Sequence, residues 1–171
     1  MTAKMTRRTR LTWPEWSAVV RGIPRPQGSK RAMVNPKTGR AMVLEQNSGT
    51  HRRWRDTLTA VAQETAPASP LQGPVLLQVT CTFPRPLSHY HMRKSGPVLR
   101  MDAPSYCTGR GHGDLSKLVR AIEDSLADAG VISDDTQIAV LNASKHWCCR
   151  FQDVSGAAIT VRGLSPEAVE A

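Results

Sequence analysis

Long apolar runs are missing from this sequence. No stretch of about 18 apolar residues occurs among its 171, so no membrane-spanning helix is expected, and Met1 to Arg10 is basic without the apolar segment of a secretory leader. A soluble, cytosolic protein is the expectation. Aromatic residues are scarce at 5%, which limits the core to a modest one, and the length leaves no room for two well-filled domains. The four cysteines (Cys81, Cys107, Cys148 and Cys149) show no CxxC spacing, so neither a disulfide framework nor a compact zinc knuckle is indicated. Reduced thiols are expected. With 12 Pro and 12 Gly the chain must turn often, which excludes a long helical rod, and no internal repeat is visible.

Acid is what the first third lacks. Lys and Arg exceed Asp and Glu by +10 over residues 1–60 and by +3 over 61–113, whereas residues 114–171 carry −4, for +9 in all. A basic surface favours a polyanion, because neutralising phosphates releases condensed counterions, and nucleic acid is the commonest such partner; a merely solvated surface is the plain alternative.

Residues 1–16 read as a flexible basic tail and 164–171 as a second tail, with one domain over 17–163 between them. Ser17 to Ile23 is a strand candidate, ended by the Pro/Gly-punctuated basic loop Pro24 to Arg31. A turn at Asn35 to Arg40 separates two segments that can pair as a hairpin. Asn47 or Ser48 can cap a helix with Trp54, Leu58, Val61 and Ala62 on one side and His51, Arg52, Arg53 and Arg55 along its first turns. The clearest strand alternates Val75, Leu77, Val79, Cys81 and Phe83 with more polar neighbours before Pro84 stops it. From Arg85 to Gly113 no period survives, which predicts a mobile basic loop suited to ordering on phosphates. Leu115, Leu118, Val119, Ile122, Leu126 and Ala129 then mark the best helix, with Asp114 able to cap it and Gly130 ending it. Thr136 to Trp147 reads as a strand and Ala157 to Val161 as its hairpin partner. The order predicts an α+β fold, a small single domain with a mixed or antiparallel sheet and two main helices packed on it.

Three carboxylates flank that second helix rather than lying on its wet side: Asp114 before it, Asp134 and Asp135 after it. Oxygen ligands of this kind suit a hard divalent ion, which can activate water and neutralise a phosphodiester. The structural alternatives are concrete, an N-cap for Asp114 and turn chemistry for the Asp pair. A second constellation, His89, His91, Cys107 and His112, has the ligand types for zinc without a recognised spacing.

The run Gly113-Asp114-Leu115-Ser116-Lys117-Leu118-Val119-Arg120 to Leu126, followed by Asp128-Ala129-Gly130 and Asp134-Asp135-Thr136-Gln137-Ile138, resembles the signature of the RusA-like Holliday junction resolvases. Pro24 to Arg31 and Phe83-Pro84-Arg85-Pro86 add weaker similarity. The resemblance implies a homodimeric, magnesium-dependent endonuclease, with manganese able to substitute, that resolves Holliday junctions and other branched DNA by paired symmetric nicks in recombination and repair and is often phage-encoded. Carried over, it makes Asp114 and Asp135 the metal-binding and catalytic carboxylates with Asp134 beside them, and Arg120 or Lys117 the basic catalytic group. Ser116 departs from the pattern by standing where the family has a second Asp, and a hydroxyl is a far weaker magnesium ligand. DNA contacts are expected from Lys30, Arg31, Arg52, Arg53, Arg85, Arg93, Lys94 and Arg110, with binding that weakens steeply in salt. A catalytically inactive or zinc-stabilised DNA-binding protein is the alternative.

Helical rise poses a problem for the shared metal site. A helix from Asp114 to Ala129 spans roughly 22 Å, so Asp135 begins beyond its far end. Either residues 130–135 double back along the helix, or Asp134 and Asp135 come from a partner subunit. Asp124, ten residues from Asp114, is too far to share its ion and is expected to pair with Arg120 at i,i+4.

Overall fold

Alternation along one strand organises the molecule. The computed structural model describes residues 14–28, 30–45, 48–151 and 153–164. In β4 (Val75–Phe83) the odd-numbered side chains Val75 to Phe83 are all at most 1% exposed, while Leu76, Thr80 and Thr82 are half-buried and Gln78 is exposed. A period of two with one apolar face buries one side of the sheet and leaves the other wet. The sheet has four strands in the order β1 (Glu15–Arg21), β8 (Gly156–Gly163), β4, β7 (Ile138–Trp147). The β1–β8 and β8–β4 pairs are antiparallel and β4–β7 is parallel. Two separate hairpins complete the strands: β2 (Lys30–Val34) with β3 (Ala41–Glu45), and β5 (Tyr90–Arg93) with β6 (Gly96–Leu99).

Two helices cover the apolar face. In α2 (Leu115–Asp128) Leu118, Ile122 and Leu126 recur at i, i+4, i+8 and are at most 1% exposed; α1 (Ser48–Thr65) contributes Trp54, Leu58 and Ala62. That spacing makes one apolar stripe per helix, and the stripes meet β4, β8 and β1 in a single core. Gly130, at φ +75, ends the α2 segment in the left-handed conformation that favours glycine.

The α+β class, both helices and the hairpin about the Asn35 to Arg40 turn agree with the sequence reading. Three expectations are corrected. Ala157 to Val161 does not pair with β7: β8 inserts between β1 and β4, and β4 separates it from β7. Two strand-like segments with a turn between them look like a hairpin, but β4, with its fully apolar face, takes the place between them. Residues 85–113 are not without regular structure, since they contain the β5–β6 hairpin and the 3-10 turns Leu87–His89 and Arg110–His112. The N-terminal tail ends earlier than residue 16, because Trp16 is a core side chain whose Nε1 donates to the Thr65 carbonyl at 3.0 Å. Residues 1–13 and 165–171 lie outside the described residues. No helix among the described residues is long and apolar enough to cross a membrane.

Candidate active site

The exposed face of α2 is where the polar residues of the signature converge. Ser116, Lys117, Arg120, Glu123 and Asp124 fall at i, i+1, i+4, i+7 and i+8, opposite the buried stripe, and with Gln27 and Gly28 they line a cleft of about 760 Å³. The far wall is the Pro24 to Gly28 loop. Its backbone bends onto the helix: Gln27 N–H donates to the Lys117 carbonyl at 3.0 Å, and Gln27 Nε2 donates to Asp124 at 3.1 Å. Pro26 packs against Gly113, where a Cβ would lie 2.5 Å from its Cγ. Gly113 itself has φ +73 and ψ 168, and its carbonyl accepts from Lys145 Nζ at 2.6 Å. The head of α2 is thus clamped between the loop and β7.

Asp114 precedes this face of α2 in the N-cap position, with extended dihedrals, yet its carboxylate makes no capping hydrogen bond. Its ion pair with Lys117 at 3.4 Å joins side chains 73% and 45% exposed, a geometry worth little in water. Asp134 contrasts with it. That side chain caps the 3-10 turn Asp135–Gln137, accepting from Thr136 N–H at 2.9 Å and Thr136 Oγ1 at 2.5 Å, and these bonds hold its pKa below the ordinary carboxylate value. Gln137 closes the capping box and ties the turn to Leu71 and Gly73 through its Nε2. Asp134 therefore serves the turn, and exposed Asp135 is the freer of the pair.

The 130–135 segment does fold back, so that its 3-10 turn packs against α2. The return is partial. Asp135 reaches the neighbourhood of Glu123, whose pKa is raised first by burial and then by the charges of Asp135 and Asp124, partly offset by Arg120. Glu123 lies nine residues from Asp114, about 13 Å along the helix. Among the described residues no group of three or more His, Cys, Asp or Glu side chains is gathered closely enough to hold a metal ion. The zinc alternative fails on the same ground. His112 packs edge-on against Phe83 and Trp147 with centroids 5.1 and 4.7 Å away, Cys107 is fully buried, and His91 is exposed on β5.

The expected DNA contacts separate into three groups. Arg52 and Arg53 are exposed on α1, Arg93 and Lys94 sit exposed at the β5–β6 tip, and Arg110 is exposed on its 3-10 turn. Arg85, in contrast, spends its guanidinium internally, on the carbonyls of Cys148 (2.9 Å) and Pro104 (2.7 Å), so it anchors the 84–105 excursion. Lys30 and Arg31 lie in β2, and their side chains fall outside the described residues. Of the cations expected at the start of α1, His51 is buried and Arg55 pairs with Asp128 at 2.5 Å and approaches Asp124 at 3.9 Å. Asp124 is thereby tied to Gln27 and Arg55 on other elements and not, as expected, to Arg120 at i,i+4.

Glu123 and Gln27 escaped the sequence reading. The i, i+4, i+7 spacing of Ser116, Arg120 and Glu123 could have flagged the former; nothing local marks Gln27, which reaches the site only through the loop's return. The raised pKa of Glu123 makes its ionisation unfavourable for folding, so its effect on stability is absent at low pH and appears as pH rises through the raised value. Glu123→Gln should accordingly unfold at higher urea than the parent protein at pH 8, by less than about 1 kcal/mol after solvent screening, with no gain at pH 4; equal midpoints at both pH values would contradict it.

The model of the family described as endodeoxyribonuclease RusA matches residues 24–161, which takes in the loop, both helices, β4, β7 and most of β8. No curated protein matches the chain. The match spans most of the sequence and includes every element that builds the cleft, and on it the chain belongs to the RusA family of endodeoxyribonucleases, the Holliday junction resolvases.

Proposed function

We propose that this chain is a magnesium-dependent nuclease, with manganese able to substitute, that resolves four-way and other branched DNA by paired symmetric nicks in recombination and repair, acting as a homodimer. The observation that carries this reading is the uncapped, exposed Asp114 carboxylate 3.4 Å from Lys117, which with Arg120 lines the adjoining cleft. A helix N-cap that ignores its own backbone donors has its charge available for something else.

The chain's own groups have separable tasks. Arg120 presents a planar fork and Lys117 a point charge on the same helical face, so both can hold a phosphodiester and steady the charge that grows on it. Exposed Arg52, Arg53, Arg93, Lys94 and Arg110 would hold the DNA arms by their backbones, giving recognition of branched shape and a steep salt dependence. The carboxylates Asp114 and Asp135 have the oxygen chemistry a magnesium ion needs. Within one chain the fit is incomplete, because these two sit at different heights along α2 and Ser116 supplies only a hydroxyl.

A synthetic four-way junction incubated with the protein should be nicked symmetrically in magnesium and left intact in a chelator. Tight binding without nicking in either magnesium or manganese would instead favour an inactive junction-binding relative.

A further inference from the structure

A half-buried lysine stands on the apolar side of the sheet. Lys145 of β7 is level with Cys81 of β4 in the parallel ladder. On the other side of β7 runs a short cover: Tyr106 bridges His146, with Cys107 N–H donating to the Lys145 carbonyl at 3.1 Å and Trp147 N–H to the Ser105 carbonyl at 3.0 Å. Residues level with one another on neighbouring strands point to the same face, so Lys145 lies in a row between two thiols that are both 0% exposed. Burial pushes the Cys81 thiol up to about 12 and the Cys107 thiol up as well, against the opposing pull of the Lys145 charge. Both thiols therefore stay neutral and give the ammonium no counter-charge.

A charge drawn out of water must find acceptors. Lys145 finds one in the Gly113 carbonyl, to which its Nζ donates at 2.6 Å across 32 residues of sequence. Gly113 directly precedes the N-cap of α2, the positive end of the helix macrodipole, so the cation is kept where the helix disfavours one. What it gains is a charge-assisted bond, roughly twice as strong as a neutral donor would make. That strength falls on the residue before Asp114. The Gly113 carbonyl and the Asp114 N–H belong to one planar peptide, and Lys145 holds that plane by its oxygen. The next peptide is held by Leu118 N–H, which donates to the Asp114 carbonyl at 3.1 Å. Between two fixed planes the Asp114 side chain leaves the backbone in one direction. Its carboxylate makes no cap bond, and its ion pair with Lys117 is exposed, so the backbone is what aims it. A glycine at φ +73 would otherwise leave that plane free to turn.

We propose that Lys145 is a positioning residue of the nuclease: acting from β7 through the Gly113–Asp114 peptide, it holds the Asp114 carboxylate in the orientation in which that group meets the scissile phosphodiester. The inference rests on the nuclease reading of Asp114. Lys145 works through Asp114 and not on the DNA, which separates it from Lys117 and Arg120 in the cleft.

Lys145→Met keeps the stem between the two thiols and removes the donor. It should lower single-turnover nicking of a four-way junction about 10²-fold, the loss that follows when a catalytic group is misplaced by about 1 Å, with junction affinity little changed. Lys145→Arg returns a charged donor and should regain most of the lost rate. Added to Asp114→Asn, Lys145→Met should cost little more, because residues that act through one another are not additive. Should Lys145→Met fail to fold, Lys145→Gln, one atom shorter and uncharged, takes its place. The hydrogen bond is read apart from catalysis: Gly113–Asp114 is the one Gly-Asp step in the sequence, so 13C-carbonyl glycine with 15N aspartate gives a single correlated NMR signal, which should shift in Lys145→Met. Nicking by Lys145→Met close to the parent rate, a loss confined to binding, full multiplication of the two losses in the double variant, or an unmoved Gly113 signal would overturn the proposal. A shifted signal beside a parent chain that never nicks DNA would instead overturn the nuclease reading.

Discussion

Asp114→Asn should lower junction nicking on the order of 10³-fold while leaving the fold and junction binding in place. The size follows from the proposed role of this carboxylate at the reacting phosphate, since single preorganised catalytic groups are worth about 10² to 10³ in rate. The specificity follows from what Asp114 does not do. Its carboxylate makes no cap bond, and Asn is at least as good an N-cap, so helix α2 loses nothing. Its ion pair with Lys117 is exposed and contributes well under about 1 kcal/mol. Binding should hold or tighten, because one negative charge leaves a surface that meets phosphates. The measurement is single-turnover nicking beside a gel-shift titration of the same junction. Cutting within tenfold of the parent rate would dismiss Asp114 as a catalytic group.

Gly113→Ala should cost about 2–4 kcal/mol of stability and lower nicking by at least tenfold. Two penalties coincide at this residue. At φ +73 and ψ 168 the backbone occupies a region essentially reserved for glycine, at a cost of about 1–3 kcal/mol for any other residue. The added methyl would also stand 2.5 and 2.7 Å from Pro26 Cγ and Cβ, on a ring too rigid to yield by rotation, so the loop must move as a body. Moving it pulls Gln27 away from Lys117 and Asp124, which opens the wall of the cleft. Urea unfolding reads the first effect and junction nicking the second. Unchanged activity in a destabilised protein would mean that the loop is structural only.

What could be read from the chain alone was what is locally periodic. β4 and α2 declare themselves because each has one apolar face at its own period, two for Val75 to Phe83 and 3.6 for Leu118, Ile122 and Leu126. The pairing of β8 was hidden because strand order is decided by which apolar faces compete for the centre, a non-local contest that adjacency in sequence does not report. The β5–β6 hairpin was hidden by shortness: four residues a side, of which only Tyr90 is buried, leave no period to detect. At the site, Asp114 and Asp135 stood out as acids in a basic protein, but the division of labour between Asp134 and Asp135 depends on which one accepts from Thr136, a matter of turn geometry. Gln27 and Gly113 were out of reach for a similar reason. Their importance lies in a loop laid across a helix nearly a hundred residues later in the chain.

The short cover formed by residues 105–107 has a further effect on β7. Strands slide most readily in steps of two residues, which keep inner and outer side chains matched. Here the Tyr106–His146 bridge, with Cys107 N–H on the Lys145 carbonyl and Trp147 N–H on the Ser105 carbonyl, opposes such a slip of β7 along β4. The excursion that Arg85 holds down thus serves as a doorstop at the outer edge of β7, filling the place beside residues 145–147.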